Sequence, residues 1–423
     1  MKGKTKMGKI NTKVTDSVNF FMGNKPADLT AKYGSPLYVY NEKILRERCR
    51  DIKNLVKYPH FSINYSAKAN SNLAFLEIVR EEGLNVDAMS PGEIFVELKA
   101  GFKPEQIFYI SNNVSKEEMQ FAIDHNITIS VDSLSQLEQY GQLNPGGKVA
   151  ARFNGGIGAG HHEKVITAGK KTKFAINPEN IPEFKEILKK YDLKLVGINQ
   201  HIGSLFMDGS KYVEGVKAIL HIAKEFDNLE FVDLGGGFGI PYEKLNDQPR
   251  LDLKSLGEQL DEVFNEFIAE YGKEITFKVE PGRYISAECS VLLGTVHAIK
   301  YNHEDKYAGT DIGFNVLQRP IMYDSHHDIE VYNDSEKVED ITVVGNICES
   351  GDIIAKHRMC PEMHVGDTIG VLDAGAYGYC MASNYNNRLR PAEVLIRENG
   401  EVQLIREKDK LEDLLKGMKG LND

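Results

Sequence analysis

A lysine stands just beyond a short strand pattern, where α/β enzymes carry reactive groups. Phe61, Ile63 and Tyr65 alternate with polar residues, which predicts a strand, and Lys68 follows it ahead of a polar turn and an apolar helix pattern. An amine at the carboxyl end of a strand is placed to bond covalently to a carbonyl compound. A lone lysine in such a loop is more often a solvated surface charge, so the other strand ends must decide between the two interpretations.

Five further predicted strands also end on polar or glycine-rich residues. The carboxyl ends of parallel barrel strands meet on one face, which is where barrel enzymes hold their active sites. We expect these residues to surround Lys68, because groups without a common role would be scattered over both ends of the strands. In chain order they are Asp87, Arg152, His201, Ser204, Gly235, Gly236, Gly237, Glu280, Gly282 and Arg283.

The glycines and the arginine near the last two strands are typical of an anion site. Gly235–Gly237 can bring backbone N–H groups close to an oxyanion because no Cβ intervenes, and Arg283 follows the next strand. Phosphate sites recur at this place in barrels of this kind. The sequence contains neither a Walker lysine nor the Rossmann spacing with a ribose-binding acid. The phosphate is therefore expected to belong to a small cofactor rather than a nucleotide.

A lysine, a phosphate site and a carboxylate at strand ends together favour pyridoxal phosphate. Lys68 would form the Schiff base, and Glu280 would keep the pyridine nitrogen protonated so that the ring can accept electrons. His201 would stack on the face of the ring. Asp87 and Arg152 would give polar support beside it.

The spacing of the elements that carry these residues favours a (β/α)8 barrel. Strands that alternate with helices pair in parallel, and eight such units over about 220–250 residues match a barrel better than the rival doubly wound open sheet. The predicted strands lie near 61–66, 84–88, 107–111, 128–132, 148–153, 195–200, 230–234 and 276–280. The predicted helices lie at 42–57, 72–82, 91–100, 115–124, 133–140, 180–190, 210–226 and 252–271, and Asn41 is placed to cap the first of them.

A second, all-β domain is predicted after the barrel. From about residue 286 the helical period gives way to β-rich runs separated by Gly, Asn and Asp turns. We therefore expect a polar lead-in over 1–35, the barrel over 36–285, the β domain over 286–405 and a short amphipathic helix in 406–423. The strand predicted at 36–40 is a candidate to join the sheet of the β domain.

Composition describes a globular protein and excludes some classes of function. The 423 residues are 41% hydrophobic and 27% charged, with a net charge of −11, which argues against a general nucleic-acid surface. The five cysteines form no CxxC pair, so neither a zinc ribbon nor a disulfide framework is indicated, and no metal site is expected. The chain has no apolar run long enough for a membrane span and no signal-peptide pattern, so a cytoplasmic enzyme is expected.

Taken as a set, the motifs resemble those of the fold-type III pyridoxal-phosphate decarboxylases, and among them the branch that acts on diaminopimelate. The matching segments keep the order of that family and run from about residue 35 to 400. They are Tyr65-Ser-Ala-Lys-Ala-Asn70, Asp87-Ala-Met-Ser-Pro-Gly-Glu93, His201-Ile-Gly-Ser204, Asp233-Leu-Gly-Gly-Gly-Phe-Gly239, Glu280-Pro-Gly-Arg283, Arg319-Pro-Ile-Met-Tyr323, Cys348-Glu349-Ser350, Gly375-Ala-Tyr377 and Tyr385-Asn386 with Arg390-Pro-Ala-Glu393.

The resemblance implies a homodimer whose active sites combine the barrel of one subunit with the β domain of the other. It implies that Lys68 is the Schiff-base lysine and that Glu280 meets the pyridine nitrogen. It also implies that Cys348, contributed by the second subunit, returns a proton to the carbon that has lost CO2. The phosphate would be held by Ser204, Gly235–Gly237, Gly282, Arg283 and Tyr377.

The predicted substrate carries charges of both signs at its far end. Diaminopimelate ends in an ammonium and a carboxylate, so its site should offer an anion and a forked cation. Glu349 and Arg319 supply these, with Tyr323 nearby, and the resemblance adds Arg283 and Tyr377 at the substrate. The predicted reaction is decarboxylation of meso-2,6-diaminopimelate to L-lysine, the last step of lysine biosynthesis.

Other functions stay open at the level of sequence. Asp324 follows Tyr323, and a similar pair occurs in ornithine decarboxylases, so a basic amino acid (ornithine, lysine or arginine, including D-forms) is an alternative substrate. A regulatory relative without catalysis should lack Lys68, the glycines or Cys348, and a racemase should carry tyrosine in place of Cys348. The glycine-rich loop 155–172 suits either a mobile lid or an ordinary surface loop.

Overall fold

The computed structural model describes residues 12–158 and 173–421. Its contacts divide the chain into two compact units. The barrel unit consists of Arg46–Ile240 and Arg250–Ile285. The β unit consists of the chain up to Leu45, Pro241–Pro249 and the chain from Ser286 onward. These boundaries differ from the sequence-based ones, which placed Pro241–Pro249 in the barrel and kept the first 35 residues apart.

Eight parallel strands close the barrel, which confirms the predicted fold class. Each strand pairs with its neighbours in the chain, and the last pairs back with the first, Ile63 opposite Val279. Numbered after β1 (Leu37–Asn41), which belongs to the β unit, the barrel strands are β2 (Phe61–Ser66), β3 (Asn85–Ala88), β4 (Ile107–Ile110), β5 (Thr128–Val131), β6 (Lys148–Arg152), β7 (Lys194–Asn199), β8 (Phe231–Asp233) and β9 (Thr276–Val279).

Helices alternate with these strands at the predicted places. Several begin at a residue whose side chain accepts a hydrogen bond from the first turn, as Ser90 does from Glu93 N and Ser115 from Glu118 N. Such caps explain why the starts were readable from the sequence. The helices are Glu42–Lys53, Leu73–Glu81, Pro91–Lys99, Lys116–Asp124, Leu134–Leu143, Ile181–Lys190, Ser210–Ala223, Leu253–Tyr271 and the short Arg283–Ser286.

Apolar side chains from neighbouring strands fill part of the barrel. Phe108 and Ile110 of β4 pack with Ala150, Val196 and Phe231 of the later strands. Most buried polar residues of the strands, in contrast, lie at or just beyond the carboxyl ends, and Asn64 of β2 lies farther back. Those at the ends are Ser66, Asp87, Ser130, Arg152, Asn199, Asp233 and Glu280. The barrel is therefore packed with apolar side chains and presents most of its buried polar groups at one end of the strands.

The β unit is built on a nine-stranded sheet. β1 pairs antiparallel with β10 and parallel with β16, so the strand predicted at 36–40 belongs to this sheet. The β-rich runs of the sequence correspond to β10, β12, β13, β15 and β16, whereas β11, β14 and β17 were not predicted. In β14, charged residues at the centre of the strand interrupt the apolar ones. The strands are β10 (Ser290–Asn302), β11 (Asp305–Thr310), β12 (Ile329–Val331), β13 (Val338–Val344), β14 (Ile353–Pro361), β15 (Thr368–Leu372), β16 (Ala392–Ile396) and β17 (Val402–Arg406).

Short helices in the β unit depart from the sequence-based expectation. From residue 12 onward, the polar lead-in contains the helices Val14–Ser17 and Pro26–Tyr33, and a five-residue helix spans Arg319–Tyr323. Near the carboxyl end, Leu411–Leu415 forms only a 3₁₀ turn where a longer amphipathic helix was predicted. Its terminal leucines are 68% and 66% exposed, so apolar burial does not stabilise a longer helix there.

Two further properties bear on the sequence analysis. Across 12–158 and 173–421, none of the helices combines the length and the apolar character that a bilayer span requires. All five cysteines are unbridged: Cys49, Cys289 and Cys360 are buried, whereas Cys348 and Cys380 are exposed.

Candidate active site

Lys68 lies in a one-turn 3₁₀ helix, Ala67–Ala69, directly after β2. The two alanines are buried and anchor the turn, whereas the lysine is half-buried. The Tyr65 hydroxyl donates a hydrogen bond to the carbonyl of Asn70 at 2.9 Å, which ties the strand to the far side of the turn. The lysine is therefore held at the carboxyl end of the first barrel strand, on a short turn that is fixed both by its buried alanines and by the hydrogen bond from Tyr65.

Two buried carboxyl groups stand next to this turn. Ser66 Oγ lies 2.7 Å from Asp87 Oδ2, to which it donates, and 3.2 Å from the backbone oxygen of Glu280. Burial raises the pKa of Asp87 to about 7, although Lys68 and the bond from Ser66 lower it. Burial also raises the pKa of Glu280 well above its usual value; Asp233 and Asp87 add to this, and Lys68 and Arg152 oppose it. The strand ends thus hold acids that can keep a proton near neutral pH.

His201 is neutral in this arrangement. The backbone N–H of Gly236 donates a hydrogen bond to His201 Nδ1 at 3.2 Å, so that nitrogen carries no proton. Burial lowers the pKa of His201 well below its usual value, and the cations of Lys68 and Arg152 lower it further. An uncharged imidazole held by one edge is suited to stacking on an aromatic ring, the role predicted for it.

Three buried polar atoms around Lys68 have no hydrogen-bond partner among residues 12–158 and 173–421. They are Asp87 Oδ1, Glu280 Oε1 and Arg152 Nη2. The guanidinium of Arg152 packs on the ring of Phe174, with 4.7 Å between Cζ and the ring centroid. Unpartnered polar atoms are rare in protein interiors, so a cluster of them at one mouth fits a bound polar molecule.

The predicted phosphate residues of the barrel unit also come together. Arg283 Nη2 donates to Ser204 Oγ at 3.0 Å, and Arg283 is 6% exposed. Gly235 and Gly237 have φ of 75° and 103°, and a Cβ on Gly236 would lie 1.9 Å from the carbonyl oxygen of Glu280. A Cβ on Gly282 would lie 3.0 Å from the Cβ atoms of Ser66 and Ala69, beside the lysine turn. A Cβ on Gly235, Gly236 or Gly237 would collide with neighbouring backbone, so only glycine fits at these three positions. The N–H of Gly235 donates to Asp233 Oδ1 at 2.9 Å, and that of Gly236 is taken by His201.

The remaining candidate residues belong to the β unit. Arg319 and Tyr323 begin and end one short helix, and Arg319 is 1% exposed. Its Nη1 donates to His327 Nε2 at 2.7 Å, and its Cζ lies 4.4 Å from the ring centroid of Tyr242. Tyr377 follows β15 with φ of 55°, on a segment that starts at Asp373.

Cys348 and Glu349 are exposed on the loop between β13 and β14. The N–H of Cys348 donates to Asn386 Oδ1 at 2.9 Å, and the Tyr385 hydroxyl donates to Glu349 Oε1 at 2.7 Å. A Cβ on Gly351 would lie 3.0 Å from Ile321 Cδ1, so this loop runs beside the helix that carries Arg319. The acid, the thiol and the buried cation are therefore on adjacent segments of one unit.

Several contributors were missed at the sequence level. Ser66, Tyr385 and Asn386 stood inside quoted motifs, yet their side chains were given no role. Glu97 was not considered, although its i+3 spacing from the apolar Ile94 indicates the buried face of a helix. Glu97 is fully buried, and neither carboxyl oxygen has a partner within the described residues. Burial raises its pKa to about 9, with Asp87 and Glu93 adding to the shift.

The loop 155–172 was expected to be either a lid or a surface loop. Residues 159–172 lie outside the described part of the chain, and the two interpretations stay as they were.

Comparison with known proteins places this architecture in a family. Residues 42–287 match the family model of the pyridoxal-dependent decarboxylases, pyridoxal binding domain. Diaminopimelate decarboxylase from Methanothermobacter thermautotrophicus is 41% identical over 416 residues, covering 96% of each chain. Among solved structures, diaminopimelate decarboxylase from Helicobacter pylori complexed with L-lysine aligns with a TM-score of 0.85 at 31% identity, over 92% of this chain and 98% of that one. Diaminopimelate decarboxylase from M. jannaschii in co-complex with L-lysine aligns with a TM-score of 0.85 at 32% identity, over 95% of this chain and 96% of that one.

Proposed function

The chain belongs to the pyridoxal-dependent decarboxylase family, and we propose that it removes one carboxylate of meso-2,6-diaminopimelate to give L-lysine and CO2. One structural observation carries the substrate assignment. A buried arginine, Arg319, and an exposed carboxylate, Glu349, lie on adjacent segments of the β unit. A substrate that ends in both an ammonium and a carboxylate needs both signs of charge, whereas ornithine and lysine end in a cation alone.

The barrel residues fit pyridoxal phosphate as the cofactor. When bound, it supplies an aldehyde that bonds to amines and a ring that withdraws electrons from the substrate's α-carbon. Lys68 provides the amine that attaches it, and Glu280 holds a proton at the ring nitrogen. His201 would pack its neutral ring against the cofactor ring, and Asp87 and Arg152 would complete the polar surroundings. The unpartnered atoms of Glu280, Asp87 and Arg152 support this fit.

The phosphate would be held by backbone N–H groups and a cation. Gly235–Gly237 and Gly282 let the turns around the proposed phosphate site pack closely, and Arg283 would provide charge beside the hydroxyl of Ser204. Tyr377 adds a hydroxyl from the β unit. Arg283 and Tyr377 would also contact the substrate.

At the far end of the substrate, Arg319 would bind the distal carboxylate, with Tyr323 beside it on the same helix. Glu349 would bind the distal ammonium. Its carboxylate is oriented by a hydrogen bond from the hydroxyl of Tyr385. The ring of Tyr385 is in turn stacked on the ring of Phe314, with 5.6 Å between the centroids. A residue held in this way loses little side-chain freedom on binding.

Cys348 is assigned the return of a proton to the decarboxylated carbon, from a second copy of the chain. Its exposure, and that of Ile321 and Met322 at 40% and 39%, supports a homodimer in which this surface faces a partner. Mixing two inactive variants, Lys68→Ala and Cys348→Ala, tests the arrangement. With sites shared between subunits, re-equilibrated mixtures should regain about a quarter of the wild-type activity. Mixtures that stay inactive would contradict shared sites.

A cytoplasmic location is part of the proposal. The five unbridged cysteines support a reducing compartment. The net charge of −11 gives no support for binding to nucleic acid. Fractionation of cells that produce the protein should recover it with cytoplasmic enzymes. Recovery outside the cytoplasm would contradict this assignment.

Turnover of meso-diaminopimelate by purified protein supplied with pyridoxal phosphate tests the reaction. We expect CO2 and L-lysine in equal amounts. Release of CO2 from ornithine or lysine but none from diaminopimelate would overturn the substrate assignment. The structure explains Asp324, which had suggested ornithine, in another way: it ends the Arg319 helix in the left-handed conformation, with φ of 50°. Failure of borohydride to fix the cofactor on Lys68 would favour a relative without catalysis.

A further inference from the structure

Arg319 is held by a second residue that no motif identified. Its Nη1 donates to His327 Nε2 at 2.7 Å, and the histidine is fully buried. The other ring nitrogen, Nδ1, lies 2.7 Å from the backbone oxygen of Leu372. Because a carbonyl oxygen only accepts hydrogen bonds, Nδ1 must carry the proton.

These two contacts fix the state of the imidazole. With the proton on Nδ1, a neutral ring presents a lone pair at Nε2, which is the group that the guanidinium N–H requires. A second proton on the ring would set two donors against each other. His327 is thus a neutral acceptor whose tautomer is set by the backbone of β15, one strand of the nine-stranded sheet.

Tyr242 completes the support. Its ring lies 4.4 Å from Arg319 Cζ and 5.2 Å, edge to face, from the ring of His327. Ser325 Oγ accepts from Nη2 at 3.3 Å. The guanidinium is therefore restrained in its plane by hydrogen bonds and across its plane by an aromatic face.

We propose that His327 is a positioning residue for the substrate's distal carboxylate, acting through the guanidinium of Arg319. The inference rests on the proposed function, in which Arg319 binds that carboxylate. A fork of two N–H groups binds a carboxylate with two parallel bonds only when its plane is correctly oriented. The bond to His327 Nε2 sets that orientation, so the histidine contributes to selection of substrates that carry the distal carboxylate.

Two conservative variants separate this role from a structural one. In His327→Gln the side-chain oxygen reaches the former place of Nε2 and keeps an acceptor for Arg319. In His327→Asn the amide group occupies the former place of Nδ1, keeps the bond to Leu372 and loses the acceptor. If the role of His327 is only to hold β15 through Leu372, the Asn variant should behave like the wild type. If its role is to position Arg319, the Gln variant should behave like the wild type.

The readout uses two ligands that differ only in one carboxylate. L-Lysine carries the carboxylate that Arg319 would bind, and cadaverine is the same diamine without it. With the holoenzyme, His327→Asn should raise the KM for diaminopimelate and the Ki for L-lysine about tenfold, as expected for one lost hydrogen bond to a charged group. The kcat and the Ki for cadaverine should stay within about twofold, and His327→Gln should lie close to the wild type.

His326→Gln is the matched control, because His326 precedes His327 but contacts Asp328 Oδ1 at 2.9 Å instead of Arg319. It should leave both inhibition constants unchanged. Thermal unfolding of each variant identifies loss of folding, and the Gln variant keeps the test decisive if the Asn variant does not fold.

The proposal is overturned if His327→Asn leaves the lysine-to-cadaverine ratio of Ki values unchanged, or if Gln changes it as much as Asn. Arg319→Lys separates this failure from that of the proposed function. If that substitution alters the ratio while His327→Asn does not, Arg319 keeps its role and only the inference about His327 is lost. If Arg319→Lys leaves the ratio unchanged, both fail.

Discussion

Ser66 donates its hydroxyl hydrogen to Asp87 Oδ2 across 2.7 Å, and the two residues are direct partners in the register of β2 and β3. The bond lowers the pKa of Asp87, against the larger upward effect of burial. An ionised Asp87 stabilises the positive charge of Lys68, so the serine helps to set the pH range in which the lysine works.

Ser66→Ala should therefore move the acidic limb of kcat/KM to higher pH. Without its hydrogen bond Asp87 holds its proton to a higher pH, and we expect a displacement of up to about one pH unit. A pH–rate profile measures it. Ser62→Ala is the control, because Ser62 is on the same strand and accepts from Asn85 Nδ2 instead. Identical limbs for Ser66→Ala and the wild type would contradict this account of Asp87.

Glu97→Gln should stabilise the protein progressively as pH rises. Burial raises the pKa of Glu97 to about 9 in the fold, so between its ordinary value and 9 the unfolded chain has lost a proton that the folded chain keeps. Wild-type stability therefore falls with rising pH in that window, and a neutral amide removes this loss. Denaturant unfolding of the apoprotein should show the advantage of the variant growing by at least about 1 kcal/mol between pH 5 and pH 8.

Glu77→Gln is the comparison for that experiment, since Glu77 is exposed on the preceding helix. Because the side chain is exposed, the substitution should change the free energy of unfolding by no more than about 0.5 kcal/mol. A Glu97→Gln advantage of constant size at all pH values would mean that the carboxyl group is already ionised in the fold.

Gly236→Ala should weaken cofactor binding. The new Cβ would lie 1.9 Å from the carbonyl oxygen of Glu280, so the chain must move at the residue that holds the ring nitrogen. We expect the Kd for pyridoxal phosphate, from an absorbance titration, to rise at least about tenfold. Gly92→Ala, on an exposed helix position where the nearest atom is Ser90 Oγ at 3.6 Å, should bind as the wild type does. Unaltered affinity in Gly236→Ala would argue against a phosphate site at Gly235–Gly237.

Cys348→Ser should lower kcat while leaving cofactor affinity intact. A hydroxyl is a much weaker acid than a thiol, and a positioned proton donor contributes about a hundredfold or more to rate. Steady-state kinetics with diaminopimelate measure the change. Cys380→Ser, at the other exposed cysteine, should keep its kcat within about twofold of the wild type. Equal rates for Cys348→Ser and the wild type would remove the cysteine from the mechanism.

The barrel, and the fact that its site residues lie together, could be predicted from the sequence because both follow from which strands are neighbours. Strand periodicity gave the strands, and chain order gave their pairing, so Ser66 and Asp87 had to lie side by side once β2 and β3 were paired. Glu280 follows from closure of the barrel in the same way, since β9 returns to β2. Strand order and strand pairing can be inferred from the pattern of apolar residues, without knowledge of how the side chains pack.

What the sequence could not provide depends on the packing of side chains. Arg319 was expected as a polar site residue, and its 1% exposure arises from partners such as Tyr242, which lies 77 positions earlier. His327 was invisible because its role depends on which ring nitrogen meets Leu372. Strand β14 was missed because Lys356, His357 and Arg358 hide its apolar alternation. Each of these features depends on contacts between residues that are distant in the sequence or on the direction of a side chain.

The bond network at the mouth of the barrel joins the two ends of its sequence. Ser66 and Glu280, whose hydroxyl and backbone oxygen are 3.2 Å apart, are separated by 214 positions along the chain. On the ribosome, Lys68 is therefore made long before the strand that brings Glu280 to it. A nascent or truncated chain that ends before β9 carries the reactive amine but lacks the acid and the arginine that would retain the cofactor.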